Sequence, residues 1–291
     1  MLLLTTAVVG GLALGGILAV ISLGMVLAYR GTGTISFAHG QLMLLGSFLI
    51  GWLQAQSGWP FGVELVLGLA LPGAIAAAFY RLFLRRLVGL PELLGLIATL
   101  GLASLLDAIA LAVFGSNDFK VTVPGLPQGT LHLFGAGVSE AALVIAAVTI
   151  VIALLMAGVM RFTHLGTLIR AAGQDPLLSS QGGINIHWTF FGAWAVSGAL
   201  AGLAGIAYAN LNIAAFGIEL VALAALPAMV LGGVDSLAGA VVGGLVVGIF
   251  ESFIATYVNS NFVNAAAYLL LLAVLLVRPG GLFGTKYVAR L

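Results

Sequence analysis

Cysteine is absent from the 291 residues, and charge is scarce, with Asp, Glu, Lys and Arg together making up 7%. Without cysteine there is no disulfide framework, no thiolate metal site and no cysteine nucleophile. A soluble domain carries about a quarter charged residues, so a surface built from this chain would be poorly hydrated. The net charge of +1 supplies no basic field for nucleic acid. A phosphate-cradling Gly-x-x-x-x-Gly-Lys-Ser/Thr run is also missing; the two lysines, Lys120 and Lys286, stand in other contexts. The histidines, His39, His132, His164 and His187, are too scattered for metal-ligand spacing. No catalytic arrangement emerges, and an enzymatic reading is poor.

What is present is apolar. Hydrophobic types reach 62%, mean hydropathy is +1.23, and the 41 glycines suit membrane helices, where they let backbones approach closely. Crossing a hydrocarbon core of ~30 Å takes ~20 largely apolar residues. Nine segments qualify as candidates: 7–29, 41–56, 63–84, 94–115, 138–160, 188–210, 219–232, 237–257 and 263–277. The second and seventh are short for a full crossing, which suits tilted, interrupted or re-entrant segments. The pattern predicts an all-α, polytopic transmembrane helical bundle of about eight to nine spans in a single transmembrane domain over 1–291. The first apolar stretch lacks the positive n-region of a secretory signal peptide and reads as a retained span.

Charge orients the set. Arg30, Arg81, Arg85, Arg86, Arg161, Arg170, Arg278, Lys286 and Arg290 fall at or near alternate connections, and only Lys120 falls on the other side. Cytoplasmic loops collect Lys and Arg, so the N-terminus is expected outside and the C-terminus in the cytoplasm. Two connections are long. One, external, runs from Ser116 to Gly137 and contains Pro124 and Pro127; the other, cytoplasmic, spans 161–187. The run from Leu23 through Gly40 weakly echoes Ala228 through Gly239, as parallel repeats over 1–130 and 138–291 would; glycine-rich bends between apolar helices are alike in any case.

The cytoplasmic connection contains its own signals. Asp175 followed by Pro176 is an N-cap followed by proline at the first helical position. Leu177 and Leu178 give an apolar edge, and Gly182 and Gly183 supply a left-handed stop. A capped helix of about a turn and a half is predicted over 175–183. So short a helix is marginal alone in water, so it docks either on a partner or on the ends of its own bundle.

At this point the residues resemble a family. Arg170-Ala171-Ala172, Asp175 and Gly183-Ile184-Asn185 are similar to the cytoplasmic loop of permeases in branched-chain amino-acid ABC importers of the high-affinity Liv type. Phe37-Ala38-His39-Gly40 resembles that family's Asn-Phe-Ala-His-Gly, with Ser36 in place of Asn. The Thr-x-Gly span is echoed by Thr99 to Gly101, and Ala199 to Gly205 is similar to its Ala-x-Ala-Gly-x-x-Gly helix. Val230 to Ser236 resembles its Leu-Gly-Gly-x-Gly-Ser segment, with Asp235 where Gly is common, and Arg278 to Gly284 its closing Arg-Pro-x-Gly-Leu-x-Gly. Ser179 stands where Ala is frequent. The ordered set runs from the first span to the last loop.

The resemblance implies a permease without its own ATPase or cofactor. Its partners would be two cytoplasmic ATPase subunits, a second homologous permease and a periplasmic binding protein, with membrane lipid around it. It further implies that the short helix couples to the ATPase through Arg170, Ala171, Gln174, Asp175, Pro176, Leu177, Leu178, Gly183 and Ile184, with Arg170 as an ionic contact. Transport-pathway candidates are Ser36, Phe37, His39, Gln41, Thr99, Asn210 and Glu251. The substrate class implied is branched-chain amino acids, with urea, amides or organic acids as relatives.

Buried carboxylates need a reason, since one near the bilayer centre costs at least ~2.5 kcal/mol. Asp107 and Glu251 either line the pathway or pair with a partner, or else are hydrogen-bonded within the bundle or held neutral. Glu219 reads as a span end. His39 either faces the route or caps locally, and Thr99 either lines the route or satisfies its own backbone. The Gly232–Gly248 series reads as close helix packing. Two other classes compete: an ion-coupled secondary transporter working without an ATPase, and an oligomeric channel ringed by the intramembrane carboxylates.

Overall fold

A computed structural model of the chain describes residues 2–56, 58–133 and 136–284. Lys286 and Arg290, two of the cations used above for orientation, lie outside the described residues. In chain order the elements are α1 (Leu2–Thr32), α2 (His39–Gln56), α3 (Phe61–Leu82), α4 (Glu92–Phe114), β1 (Thr130–Leu133), β2 (Ala136–Ser139), α5 (Glu140–Phe162), α6 (His164–Gln174), α7 (Pro176–Gln181), α8 (Ile186–Leu211), α9 (Ile218–Leu223), α10 (Ala225–Gly232), α11 (Leu237–Tyr257) and α12 (Val263–Val277).

Among the described residues, seven helices are long and apolar enough to cross a membrane: α1, α3, α4, α5, α8, α11, and α12 together with the 3-10 turn before it. The chain is therefore an all-α, polytopic membrane protein in its helical body. The two segments read as short, 41–56 and 219–232, fall outside that set. The first is α2, 18 residues long. The second is broken into α9 and α10. Pro227 explains the break: it has no N–H to bond the carbonyl four residues back, and its ring crowds that carbonyl. The external connection also departs from the helical pattern. Thr130↔Ser139 and Leu131↔Val138 pair antiparallel in a two-stranded sheet; residues 134–135 lie outside the described residues.

The chain divides into two compact units. Unit 1 holds the first 26 residues, 125–157 and 224 onward; unit 2 holds 27–124 and 158–223.

In unit 1, α1 and α11 meet through glycines one turn apart on each helix. A Cβ on Gly11 or Gly15 would meet the backbone of α11, and one on Gly244 or Gly248 would meet the backbone of α1. Small residues at four-residue spacing let membrane helices approach this closely. Gly232, Gly239 and Gly243 do the same between α10 and α11, so the glycine series is packing, as its spacing suggests. The closing Arg278–Gly284 segment folds back on α10, with Leu282 N–H donating to the Leu231 carbonyl at 2.8 Å and Phe283 N–H to the Gly232 carbonyl at 3.0 Å. Val138 of β2 packs with Val9 and Leu143.

Unit 2 is built around α2, whose side chains from His39 to Ser47 are buried. Gly46, Gly68 and Gly202, from α2, α3 and α8, converge so closely that a Cβ on Gly46 would lie 2.6 Å from Gly202 Cα and 3.0 Å from the Gly68 carbonyl oxygen. Pro72 inside α3 is part of the cause. It removes the N–H that would bond the Gly68 carbonyl, and Gly202 moves in over that freed oxygen. The Ala199–Gly205 motif thus works as a surface without side chains.

One end of unit 2 is tied by Gln54, whose side chain bonds Glu64 and both the N–H and the C=O of Thr122, each at 2.9 Å. The Phe119–Ala214 bridge lies there too. At the opposite end Gly31 packs on Phe190, Phe190 on Tyr80, and Gly173 on the Arg30 carbonyl.

Candidate translocation and coupling sites

The chain leaves α1 at Thr32, runs without regular structure through Ile35 and Ser36, and re-enters a helix at His39. The break places polar groups deep inside unit 2. Phe37 N–H donates to Thr99 Oγ1 at 3.3 Å, while Thr99 donates to the Leu96 carbonyl at 2.9 Å. Thr99 therefore both satisfies its own helix and clips the break. His39 is fully buried; its Nε2 lies 2.6 Å from Ser197 Oγ of α8, and its ring is tilted against Trp194. Gln41 donates through Nε2 to Asp107 Oδ2 at 3.2 Å. A Cβ on Gly40 would meet Glu219, whose carboxylate accepts the Gly217 N–H at 2.9 and 3.0 Å and so holds the start of α9.

Several polar atoms here are buried without a hydrogen-bond partner among the described residues: Ser36 Oγ, Gln41 Oε1, Asp107 Oδ1 and Trp194 Nε1. Each such atom costs about 1–3 kcal/mol, and folded proteins carry only a few. Their concentration around the break in one short stretch of unit 2 marks the region as more than packing.

The structure gathers Ser36, Phe37, His39, Gln41 and Thr99. Asn210 is elsewhere: thirteen residues beyond Ser197 on α8, about 20 Å at 1.5 Å per residue, it donates to the Val121 carbonyl at 3.3 Å. Glu251 belongs to unit 1, where it is buried on α11 with Oε1 unpartnered among the described residues. Ser197 and Trp194 were not among the sequence candidates. Both are polar positions in a span, a visible signal, yet Ser197 is 158 positions from His39 and nothing local announces the pairing.

The second region lies at the arginine-rich end of unit 2. Asp175 caps α7 as expected, its Oδ1 accepting the Leu178 N–H at 2.9 Å, with Pro176 at the first helical position. The helix closes in a Schellman motif: Ile184 N–H bonds the Ser179 carbonyl at 3.0 Å and Gly183 N–H the Ser180 carbonyl at 3.1 Å. The left-handed residue is Gly183 alone, at φ 83; Gly182 is at φ −74, so the expected double-glycine stop needs only its second member.

Sequence reasoning left the preceding stretch as loop, but it is the eleven-residue helix α6. Its signal was present in Leu165, Leu168, Ile169 and Ala172, apolar at helical spacing. Gly166 lets α6 start against the Met160 backbone, and Gly173 lets it end against the Arg30 carbonyl. Arg170 fastens it, donating through Nη1 to the Met160 carbonyl at 2.5 Å and through Nη2 to Thr167 Oγ1 at 3.1 Å. A cation at the carbonyl end of α5 is also favoured by the helix dipole. Much of the Arg170 guanidinium is thus engaged within the chain. Ala171, Gly183 and Ile184 line a cleft of about 590 Å³ with His164, Thr167 and Trp188. Gln174 and Pro176 are exposed, and Leu177 and Leu178 stand out at 70% and 62% exposure.

Among the described residues no cluster of three His, Cys, Asp or Glu side chains could hold a metal ion.

Comparison with known proteins places this geometry. Residues 7–278 match the family described as branched-chain amino acid transport system / permease component. The high-affinity branched-chain amino acid transport system permease protein LivH of Escherichia coli K12 is 27% identical over 305 residues, covering 96% of this chain and 95% of that protein. The corresponding permease protein BraD of Pseudomonas aeruginosa is 31% identical over 304 residues, covering 97% and 96%. In fold, the chain is similar to PsaBC from Streptococcus pneumoniae in complex with Fab, with TM-score 0.51, 14% identity and coverage of 96% and 93%. With a match from the first span to the last, the chain belongs to the family of branched-chain amino acid transport permease components.

Proposed function

We propose that this chain is the membrane permease subunit of an ABC importer that forms a translocation pathway for branched-chain amino acids or related small polar solutes. ATP is hydrolysed by separate cytoplasmic subunits, and a periplasmic binding protein feeds the pathway. Two ATPase subunits and a second, homologous permease complete the assembly, which sits in the inner membrane with its N-terminus outside and C-terminus in the cytoplasm. The relatives named above are permeases for these solutes, and the chain has no P-loop of its own.

The observation that carries the reading is α7. A capped six-residue helix holds two leucines in the open on a base that Arg170, Gly166 and Gly173 anchor to the span ends. Large apolar side chains held out on a rigid polar segment fit a groove in a partner. ATP-driven closure of the ATPase pair then drags α7, and through α6 the ends of α1 and α5, shifting the spans between outward- and inward-open states. Orientation draws support from unit 2. Arg30, Arg81, Arg85, Arg86, Arg161 and Arg170 collect at one end, and Lys120 lies beside the Gln54–Thr122 clip at the other. The Ser36–Thr99 cluster, with Asp107 and Ser197, is the pathway wall contributed by this subunit.

The test is Leu177→Asp with Leu178→Asp in the reconstituted system. Insertion is retained, while ATPase association and uptake are lost. Survival of both would end the coupling role. The ion-coupled reading predicts uptake in vesicles holding this chain alone, driven by an ion gradient and indifferent to ATP; we expect none.

A further inference from the structure

We propose that the junction of α3 and α8 is a binding site for the phosphate headgroup of an anionic phospholipid. The site adjoins the cleft beside the coupling helix, sharing Asn185 and Trp188 with it, but stands apart from the polar cluster, and it does not rest on the transport reading.

A cavity of about 260 Å³ opens at the ends of these two candidate spans, lined by Tyr80, Arg81 and Arg85 from one and Asn185, His187 and Trp188 from the other. In a chain this poor in charge, three of the ten Lys and Arg residues fall within 81–86. Among the described residues, no hydrogen bond or ion pair engages the Arg81 or Arg85 side chain. Arg81 lies over the Trp188 ring at 5.8 Å from its centre, which holds the guanidinium at the mouth. Tyr80 OH and His187 Nδ1, 3.5 Å apart, form the polar floor.

The field points the same way. Asn185 accepts the Trp188 N–H at 3.3 Å, and the 26-residue α8 turns its N-terminal, positive end toward the cavity. Two guanidiniums and a helix N-terminus make a site for a phosphate oxygen cluster.

The surroundings decide between a lipid and a soluble anion. Leu82, Phe83 and Trp188 are 61%, 57% and 60% exposed. A headgroup in the cavity would lay its acyl chains along this apolar rim, and tryptophan at the end of a span is the usual interfacial anchor. Basic pockets between spans on the cytoplasmic side hold anionic headgroups in this way.

The full-length chain in detergent, titrated with phosphatidylglycerol or phosphatidylcholine and read by native mass spectrometry, tests the proposal. Each basic residue at a membrane surface contributes roughly fivefold in affinity, so phosphatidylglycerol is retained ~25-fold better than phosphatidylcholine. Arg81→Gln with Arg85→Gln erases the difference, and Arg81→Lys with Arg85→Lys keeps part of it. Phosphatidylglycerol brominated near the headgroup quenches Trp188 more than the matching phosphatidylcholine, a signal lost in Trp188→Phe. Equal retention of the two lipids by the unmodified protein would overturn the proposal without recourse to any variant. So would displacement of the lipid by inorganic phosphate, which would make the site one for a free anion. A glutamine pair that keeps its lipid but loses its ATPase would instead assign the arginines to that partner's acidic groups.

Discussion

The start of α2 and the α6–α7 arm break the inside-out rule in opposite directions. At the first, Ser36, Gln41, Asp107 and Trp194 keep polar atoms buried without partners among the described residues. At the second, Leu177 and Leu178 stand in the open. Buried unpaired polar atoms weaken the fold that contains them, which the proposed pathway wall would explain. Exposed leucines cost the isolated chain little, which suits the proposed ATPase contact. The two regions should therefore separate when stability and transport are measured side by side: the interior one couples the two properties, and the outer one does not.

The sharpest separation comes from the arm. Leu177→Asp with Leu178→Asp should abolish ATP-dependent uptake and yet shift unfolding of the purified chain by no more than about 0.5 kcal/mol, as surface substitutions do. A comparable loss of stability would erase the contrast. Next in size is Gly202→Leu, which drives a side chain into the space over the Gly68 carbonyl. Overpacking of this kind costs about 1–3 kcal/mol, and we expect lower yield and an earlier detergent-unfolding transition, with uptake falling in proportion to folded protein. His39→Ala removes one side of the buried bond to Ser197. A loss of about 1–3 kcal/mol is expected, together with about tenfold lower uptake per folded complex and unchanged ATPase association. Unaltered uptake would remove His39 from the pathway. The smallest effect belongs to Asp175→Ala, where losing the cap weakens α7 by about 1 kcal/mol. Uptake should drop several-fold, with Asp175→Asn, an equally good cap, restoring most of it.

Much of this was legible in the chain. The Asp175-Pro176 start and the Gly183 stop are local instructions, because a cap is satisfied by backbone two or three residues away. The seven helices long and apolar enough to cross a membrane follow from apolar length and composition. The two segments read as short fall outside that set, although the break between α9 and α10 follows from Pro227. Other features were readable but passed over. The helical spacing of Leu165, Leu168, Ile169 and Ala172 lay within a stretch whose polarity suggested a loop, and the β1–β2 sheet lay within a connection defined only by its prolines and glycines. Arg170 is the instructive case. Its position in a loop motif suggested an outward ionic contact, whereas its guanidinium reaches back ten residues to the Met160 carbonyl.

Composition and spacing by themselves determined that the chain lives in a membrane, which stretches are apolar enough to cross it, which connections carry charge, and where a short capped helix forms. These depend on transfer free energy and on hydrogen bonds between near neighbours. Only the tertiary structure decided that His39 meets Ser197, that Gln41 meets Asp107, and that Gly46, Gly68 and Gly202 share one contact. Partners separated by tens to hundreds of positions are chosen by how helices pack, and a one-dimensional pattern holds no record of which face meets which.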